Sequence, residues 1–303
     1  MVSVNVAVFS EEIGRFVGKK SGETDIIFYD RIAGDVLFTG LFPKAYPEKI
    51  FALTQAAYLS NFVVLDVTKI DAELGEKIIT IDLLQKKHGL LVLSNGIDIS
   101  QIKPLITGTV VENYTVVSEA EIPENLLNFV PPAVDGDTIV DVDSCFDVKS
   151  VGTVALGYVR QGIVKKYDTL ELMPSGKECN VRSIQTHDKD VAEAGCSTRV
   201  GMAVKGIAPN DVKRGSILAA KGKIKAVTEL QGKLSQSKYY KKQIKEKTQL
   251  HAQIGLATVG CMVKSIEPFS LLLSQPAAIA GNETVLLIDV TSKLRIVGTC
   301  KLQ

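Results

Sequence analysis

No run of apolar residues in this 303-residue sequence approaches the ~20 that a membrane-spanning helix needs, so no membrane helix is expected. Cysteine is sparse. The five residues Cys145, Cys179, Cys196, Cys261 and Cys300 lie far apart with no C-x-x-C pair, which supports neither a disulfide framework nor a zinc site. Histidine is sparser still. His88, His187 and His251 are scattered, and none has a second His or Cys at metal-ligand spacing. His187 opens the polar run His187-Asp188-Lys189-Asp190, which reads as a solvated turn. No serine or cysteine stands in a G-x-S-x-G nucleophile elbow, and no other catalytic constellation is visible. The opening Met1–Asn5 has no basic stretch and runs straight into a strand pattern, so a signal peptide is not expected and a reducing cytoplasm is.

What is present is the composition of an ordinary globular chain, with 46% hydrophobic and 23% charged residues. The net charge of +1 conceals a polarity along the chain. Residues 1–141 carry 11 Lys/Arg and 20 Asp/Glu, residues 142–220 carry 11 and 9, and residues 221–303 carry 13 and 5. A polyanionic partner is therefore expected at the C-terminal end.

Hydrophobic periodicity divides the chain into three textures. Up to residue 130, apolar strands (Val2–Phe9, Ile26–Tyr29, Val36–Thr39, Phe62–Val67, Leu90–Ser94, Tyr114–Val117) mix with helices near 11–20, 47–59, 72–86, 99–107 and 123–129. Continuous apolar strands between helices predict a parallel sheet covered on both faces, with the helix over Pro47–Leu59 amphipathic. The Pro- and Gly-marked segment 131–141 reads as a linker. Residues 142–220 and 221–303 then show short alternating strands punctuated by glycine, the pattern of two small β-barrels.

The middle segment is the most specific. It runs Gly152-Thr153-Val154-Ala155-Leu156-Gly157-Tyr158-Val159-Arg160-Gln161-Gly162, then Val181-Arg182-Ser183-Ile184, Ala192-Glu193-Ala194-Gly195 and Lys213-Arg214-Gly215-Ser216-Ile217-Leu218. This resembles the second domain of translational GTPases of the elongation factor Tu class. The stretches Ser237–Lys242, Val263–Pro268 and Leu294–Gly298 resemble that family's third domain, and the likeness lies nearest the archaeal elongation factor Tu and selenocysteine-specific branch. The resemblance implies an α/β, P-loop-GTPase-like domain followed by two β-barrels, and a role in binding tRNA or the ribosome.

The N-terminal segment departs from that family where its chemistry should lie. A P-loop, G-x-x-x-x-G-K-[ST], wraps phosphate in glycine N–H groups and supplies a lysine and a metal-binding hydroxyl. After the first strand this chain has Ser10-Glu11-Glu12-Ile13-Gly14. The run Gly14-Arg15-Phe16-Val17-Gly18-Lys19-Lys20-Ser21 matches by chance, because its spacing is wrong and it falls where a helix is under way. The D-x-x-G position reads Gly40-Leu41-Phe42-Pro43, and the guanine-reading N-K-x-D is reduced to Asn95-Gly96-Ile97-Asp98. For Asn95 and Asp98 two readings stand side by side: a vestigial nucleotide site, or a turn followed by a helix N-cap. Neither GTP nor Mg²⁺ is expected to bind, since Glu11 and Glu12 add Coulomb repulsion to the missing contacts.

Nine lysines lie between Lys221 and Lys247 with Tyr239 and Tyr240 among them, and two readings stand side by side: a solvated lysine-rich loop, or an RNA-binding tract of Lys233, Lys238, Tyr239, Tyr240, Lys241, Lys242, Lys245 and Lys247. In the resembling family this part of the third domain faces tRNA. The expectation is a translation-factor-like protein that binds tRNA or the ribosome without hydrolysing GTP. Two alternatives remain: an atypical GTPase working through Asn95 and Asp98, and a scaffold that docks a protein partner through its N-terminal domain.

Overall fold

A computed structural model describes residues 2–132, 134–281 and 283–303. The chain forms two compact units, one running to Pro132 and including Thr291–Ile296, the other holding the rest.

In the first unit the order is β1 (Val2–Val8), α1 (Glu11–Val17), β2 (Lys19–Glu23), β3 (Ile27–Ala33), β4 (Val36–Phe42), α2 (Ile50–Leu59), β5 (Phe62–Val67), α3 (Ala72–Leu83), β6 (Gly89–Leu93), α4 (Ile99–Ile106), β7 (Thr115–Val117) and α5 (Ile122–Leu127). The strands form one sheet in the order β2-β3-β4-β1-β5-β6-β7. Pairings from β4 through β7 are parallel, and β2, β3 and β4 pair antiparallel. Val4, Val6 and Val8 share a face with Phe38, Val64 and Val92, covered by Ile13 and Val17 of α1 and Ile122 and Leu126 of α5. The sheet is thus packed rather than two-sided and wet, as apolar strands between helices require.

Three expectations are corrected. The first helix stops at Val17 instead of residue 20, because Gly18 closes it and Lys19 starts an edge strand with no apolar pattern to announce it. The helix expected from Pro47 starts at Ile50 and is not amphipathic. Its residues Ile50, Ala52, Leu53, Thr54, Gln55, Ala56 and Ala57 are all buried, so it is enclosed on most sides. The expected linker 131–141 is shorter, since Ile139 already pairs with Ala219; Ala133 within it lies outside the described residues.

The second unit contains both barrels. The first uses β8 (Ile139–Val148), β9 (Gly152–Gln161), β11 (Thr169–Met173), β12 (Lys177–Thr186), β15 (Arg199–Lys205) and β16 (Ile217–Ala219), closed by pairing of β11 with β12. Strands β10 (Ile163–Lys165) and β14 (Glu193–Gly195) form a side ribbon, and β13 (Lys189–Val191) extends β12. The second barrel closes in the order β17-β20-β19-β18-β21-β22, with β17 (Lys225–Gln236), β18 (Gln249–Ile254), β19 (Ala257–Ile266), β20 (Phe269–Ile279), β21 (Thr284–Ile288) and β22 (Ile296–Leu302). Each barrel has its own apolar interior. Between them Ile139, Met173, Ile217 and Ala219 pack on Ile224 and Ala278, and Arg160 bridges Asp141 and Glu283. Gly215, at φ +86°, sits against the Ala257 backbone where a side chain would collide. Among the described residues no helix is long and apolar enough to cross a membrane.

Candidate functional site

In the first unit, the carboxyl ends of β1, β5 and β6 form the crevice where parallel α/β sheets place ligands. Only Phe9 and Ser10 separate β1 from α1. Two residues cannot make a loop that wraps phosphate. Ser10 Oγ instead accepts the Ile13 N–H at 3.2 Å and caps the helix, with Glu11 and Glu12 exposed in its first turn. That arrangement satisfies the positive helix end from within the chain. The run from Gly14 to Ser21 lies in α1 and β2, not in a phosphate loop. Gly14 is glycine because a Cβ there would strike the Tyr29 ring.

Asp66, buried at the end of β5, accepts hydrogen bonds from Ser94 Oγ at 3.2 Å and from the Ser10 side chain. Burial raises its pKa above the usual carboxylate range. Lys77 of α3 has its ammonium 5.9 Å from the ring centres of both Phe9 and Tyr46, and desolvation lowers its pKa. Side chains of the chain itself thus line the crevice and bond to one another there. Asn95 takes a left-handed conformation, φ +54°, and its amide donates to Thr68 O at 3.1 Å. Asp98 caps α4, accepting the Ser100 N–H at 2.9 Å while Gln101 Oε1 accepts the Asp98 N–H at 2.7 Å; the bond from Ser100 holds its carboxyl below the usual range. Both side chains are engaged as a turn and a cap. The β1–α1 connection itself, Phe9 and Ser10, contains neither a glycine loop nor a lysine, and its one hydroxyl is engaged in capping α1, so these residues do not fit a Mg²⁺-nucleotide. Among the described residues no cluster of three His, Cys, Asp or Glu side chains could hold a metal ion.

The same unit contains a charged cluster without local sequence signal. Arg295 Nη2 and Nε meet the Glu76 carboxylate at 2.6 and 3.0 Å, Nη1 donates to Pro47 O at 2.6 Å, and the guanidinium lies 5.6 Å from the Tyr46 ring centre. Tyr46 Oη donates to Glu76 Oε2 at 3.2 Å, and burial raises the tyrosine pKa.

In the second barrel the basic tract separates into three kinds of residue. Tyr240 is a correction. It is 4% exposed and its hydroxyl donates to Asp289 Oδ2 at 2.8 Å, so it cannot stack on a base; burial raises its pKa. With Ile244 it anchors the segment after β17 in the barrel core. Gln236 Nε2 pins the same segment through Tyr240 O and Lys242 O. Lys221, Lys223 and Lys242 are neutralised by Glu178, Asp137 and Asp289. The remaining lysines, Lys225, Lys233, Lys238, Lys241, Lys245 and Lys247, are exposed and make no ion pair among the described residues. Lys238 lies 5.0 Å from the half-buried Tyr239 ring centre, and Lys241 Nζ donates to Lys238 O.

Barrel closure adds one residue that sequence reading missed. Lys301 of β22 stands directly opposite Lys233 of β17, and both are exposed. Like charges facing across a strand pair cost stability. The two residues are 68 positions apart, so only the closed barrel reveals the pair.

Comparison with known proteins agrees with this architecture. Residues 152–219 match the family model for elongation factor Tu domain 2. An uncharacterized protein of Methanocaldococcus jannaschii is 31% identical over the whole of both chains. The selenocysteine-specific elongation factor of the same organism is 37% identical over 119 residues, 39% of this chain but only 25% of that protein. The crystal structure of translation elongation factor SelB from Methanococcus maripaludis, in complex with the GTP analogue GPPNHP, superposes with a TM-score of 0.83 at 20% identity, covering all of this chain and 79% of the other. With the sheet, the two six-stranded barrels and these matches in place, the chain belongs to the elongation factor Tu/SelB-like family of translational GTPases.

Proposed function

We propose that this chain is a translation-factor-like protein that binds tRNA through its second barrel and does not use a guanine-nucleotide switch. One observation carries the reading: the β1–α1 connection has neither the glycines nor the lysine of a phosphate loop, while six uncompensated lysines gather around β17. Exposed lysines neutralise RNA phosphates and release counterions, which drives binding without sequence readout. The anchored segment 237–248 presents four of the six from a backbone held by Tyr240 and Ile244, so little loop ordering is lost on binding. In the first unit, Ser10, Glu11 and Glu12 satisfy from within the chain the positive helix end that meets a phosphate in a working G domain. The translation role places the protein in the cytoplasm, with tRNA or the ribosome as partner.

Titration with tRNA tests the reading. If all six lysines contact phosphate, log affinity falls linearly with log salt with a slope of roughly −4 to −5. A slope near zero, or no binding at low salt, overturns it. Calorimetry with GTP or GDP and excess Mg²⁺ should give no heat of binding, and a dissociation constant of about micromolar or tighter overturns the loss of the nucleotide switch.

A further inference from the structure

Tyr167 lies in the turn between β10 and β11 with φ +76°, the left-handed region that a bulky side chain enters only against steric resistance. The turn holds it firmly. Its N–H donates to Val181 O at 2.8 Å, and Lys165 N–H donates to Asp168 Oδ2 at 2.8 Å. Glycine would make the same backbone bond without the penalty. Nor does the ring gain from burial: Tyr167 is 76% exposed, whereas no other tyrosine or phenylalanine among the described residues exceeds the 42% of Phe146. A strained, solvent-facing aromatic is explained neither by packing nor by turn chemistry.

Its surroundings indicate a ligand class. Lys166 Nζ lies 4.9 Å from the ring centre. A bulge between Val181 and Ser183 sets exposed Arg182 beside the residue that accepts the Tyr167 N–H. Exposed Lys205 stands opposite Asn180 in the adjoining strand. Lys166, Arg182 and Lys205 make no ion pair among the described residues. A protein hot spot calls for an apolar, water-excluding rim, but the residues flanking this turn and its backbone partner Val181 are Lys166, Asp168, Asn180 and Arg182. A solvent-facing aromatic with one lysine over its ring and further unpaired cations on the neighbouring strands is instead the chemistry that holds single-stranded nucleic acid.

We infer that Tyr167 is a stacking platform for an unpaired base of RNA, with Lys166, Arg182 and Lys205 on the flanking phosphates. This rests on the RNA-binding reading above and adds to it a contact on the first barrel, separate from the lysines around β17.

The test uses the full chain, a fluorescein-labelled oligoadenylate and a phosphodiester strand of equal length lacking bases. Tyr167→Gly should weaken oligoadenylate binding roughly 5- to 150-fold, the range that 1–3 kcal/mol per stacked base represents, and leave the abasic strand unaffected. The same change should raise Tm by about 2–3 °C, because the strain is relieved. Tyr167→Trp should bind oligoadenylate as well as the parent or better. Unchanged oligoadenylate affinity in Tyr167→Gly, or an equal loss on the abasic strand, overturns the inference. A parent protein that binds tRNA but not oligoadenylate overturns this contact alone. A parent that binds no RNA overturns the broader reading with it.

Discussion

The first unit and the lysine tract of the second use charge in opposite directions. In the first, ionisable groups turn inward: Asp66 joins Ser94 and Ser10, Glu76 joins Arg295, Lys77 lies against two aromatic rings, and Lys86 donates to Tyr58 O and Ser60 O at 2.8 and 2.6 Å. In the second, the lysines around β17 stand in water and six of them have no acidic partner among the described residues. A parallel sheet covered on both faces buries the side chains on each side of its strands and those of the helices that pack on it. A barrel keeps its core inside and leaves alternate residues of every strand outside. Residues that count alike in the composition therefore hold the fold together at some positions and stand in water at others.

Breaking an inward pair should have the largest effect. Glu76→Ala leaves the Arg295 guanidinium, 17% exposed as a side chain, without its carboxylate. Loss of about 3–5 kcal/mol of stability is expected, read by urea unfolding, with tRNA affinity unchanged under folded conditions.

Lys86→Met should cost about 1–3 kcal/mol, because the carbonyls of Tyr58 and Ser60 lose their donor. Its pH dependence identifies the cause. Desolvation lowers the Lys86 pKa from 10.5 to about 8, so between these values the unfolded chain binds more protons than the folded one, and stability rises with pH. Unfolding followed from about pH 8 to 10 should show this rise in the parent and a smaller one in the variant. Equal slopes in the two proteins would mean that the ammonium is hydrated.

An outward set should behave in the opposite way. Changing Lys238, Lys241 and Lys245 together to Ala should flatten the salt dependence of tRNA binding by about two to three units and barely move Tm. Lys242→Ala, which removes the partner of Asp289, should leave that slope almost unaltered. If Lys242 matters as much as the other three, pairing is no guide to availability.

The smallest effect is expected at the facing pair Lys233 and Lys301. Lys301→Glu should stabilise the chain by about 0.2–1 kcal/mol while weakening tRNA binding, measured by thermal unfolding and by titration at fixed salt. Weakened stability would show that the two ammonium groups diverge.

Much of the fold was legible because it follows local periodicity. Phe62–Val67 was read with its observed bounds, since a run of β-branched and aromatic residues buried on both faces admits little else. Helix ends were less legible. The helix expected to reach residue 86 stops at Leu83, where Gln85 takes φ +53° and Lys86 N–H reaches back to Ile81 O. This closure usually carries glycine, and here glutamine gives no warning. The polar edge strand Lys19–Glu23 was missed for a related reason, since an edge strand in water needs no apolar alternation. At the candidate sites, lysine clustering was visible in the chain, but the division into paired and unpaired lysines was not. In the sequence Tyr240 is indistinguishable from Tyr239, because Asp289, which holds its hydroxyl, is 49 positions away.

By itself the sequence determined the order of one α/β region and two barrels, because hydrophobic period and glycine punctuation are local properties of the chain. It also determined that no glycine loop follows the first strand, because that loop is contiguous. Tertiary structure alone decided which charges serve the fold and which face solvent. Glu76 with Arg295, Asp289 with Tyr240, and Lys233 with Lys301 are separated by dozens to hundreds of residues, and burial and strand register arise only when the sheet is covered and the barrels close.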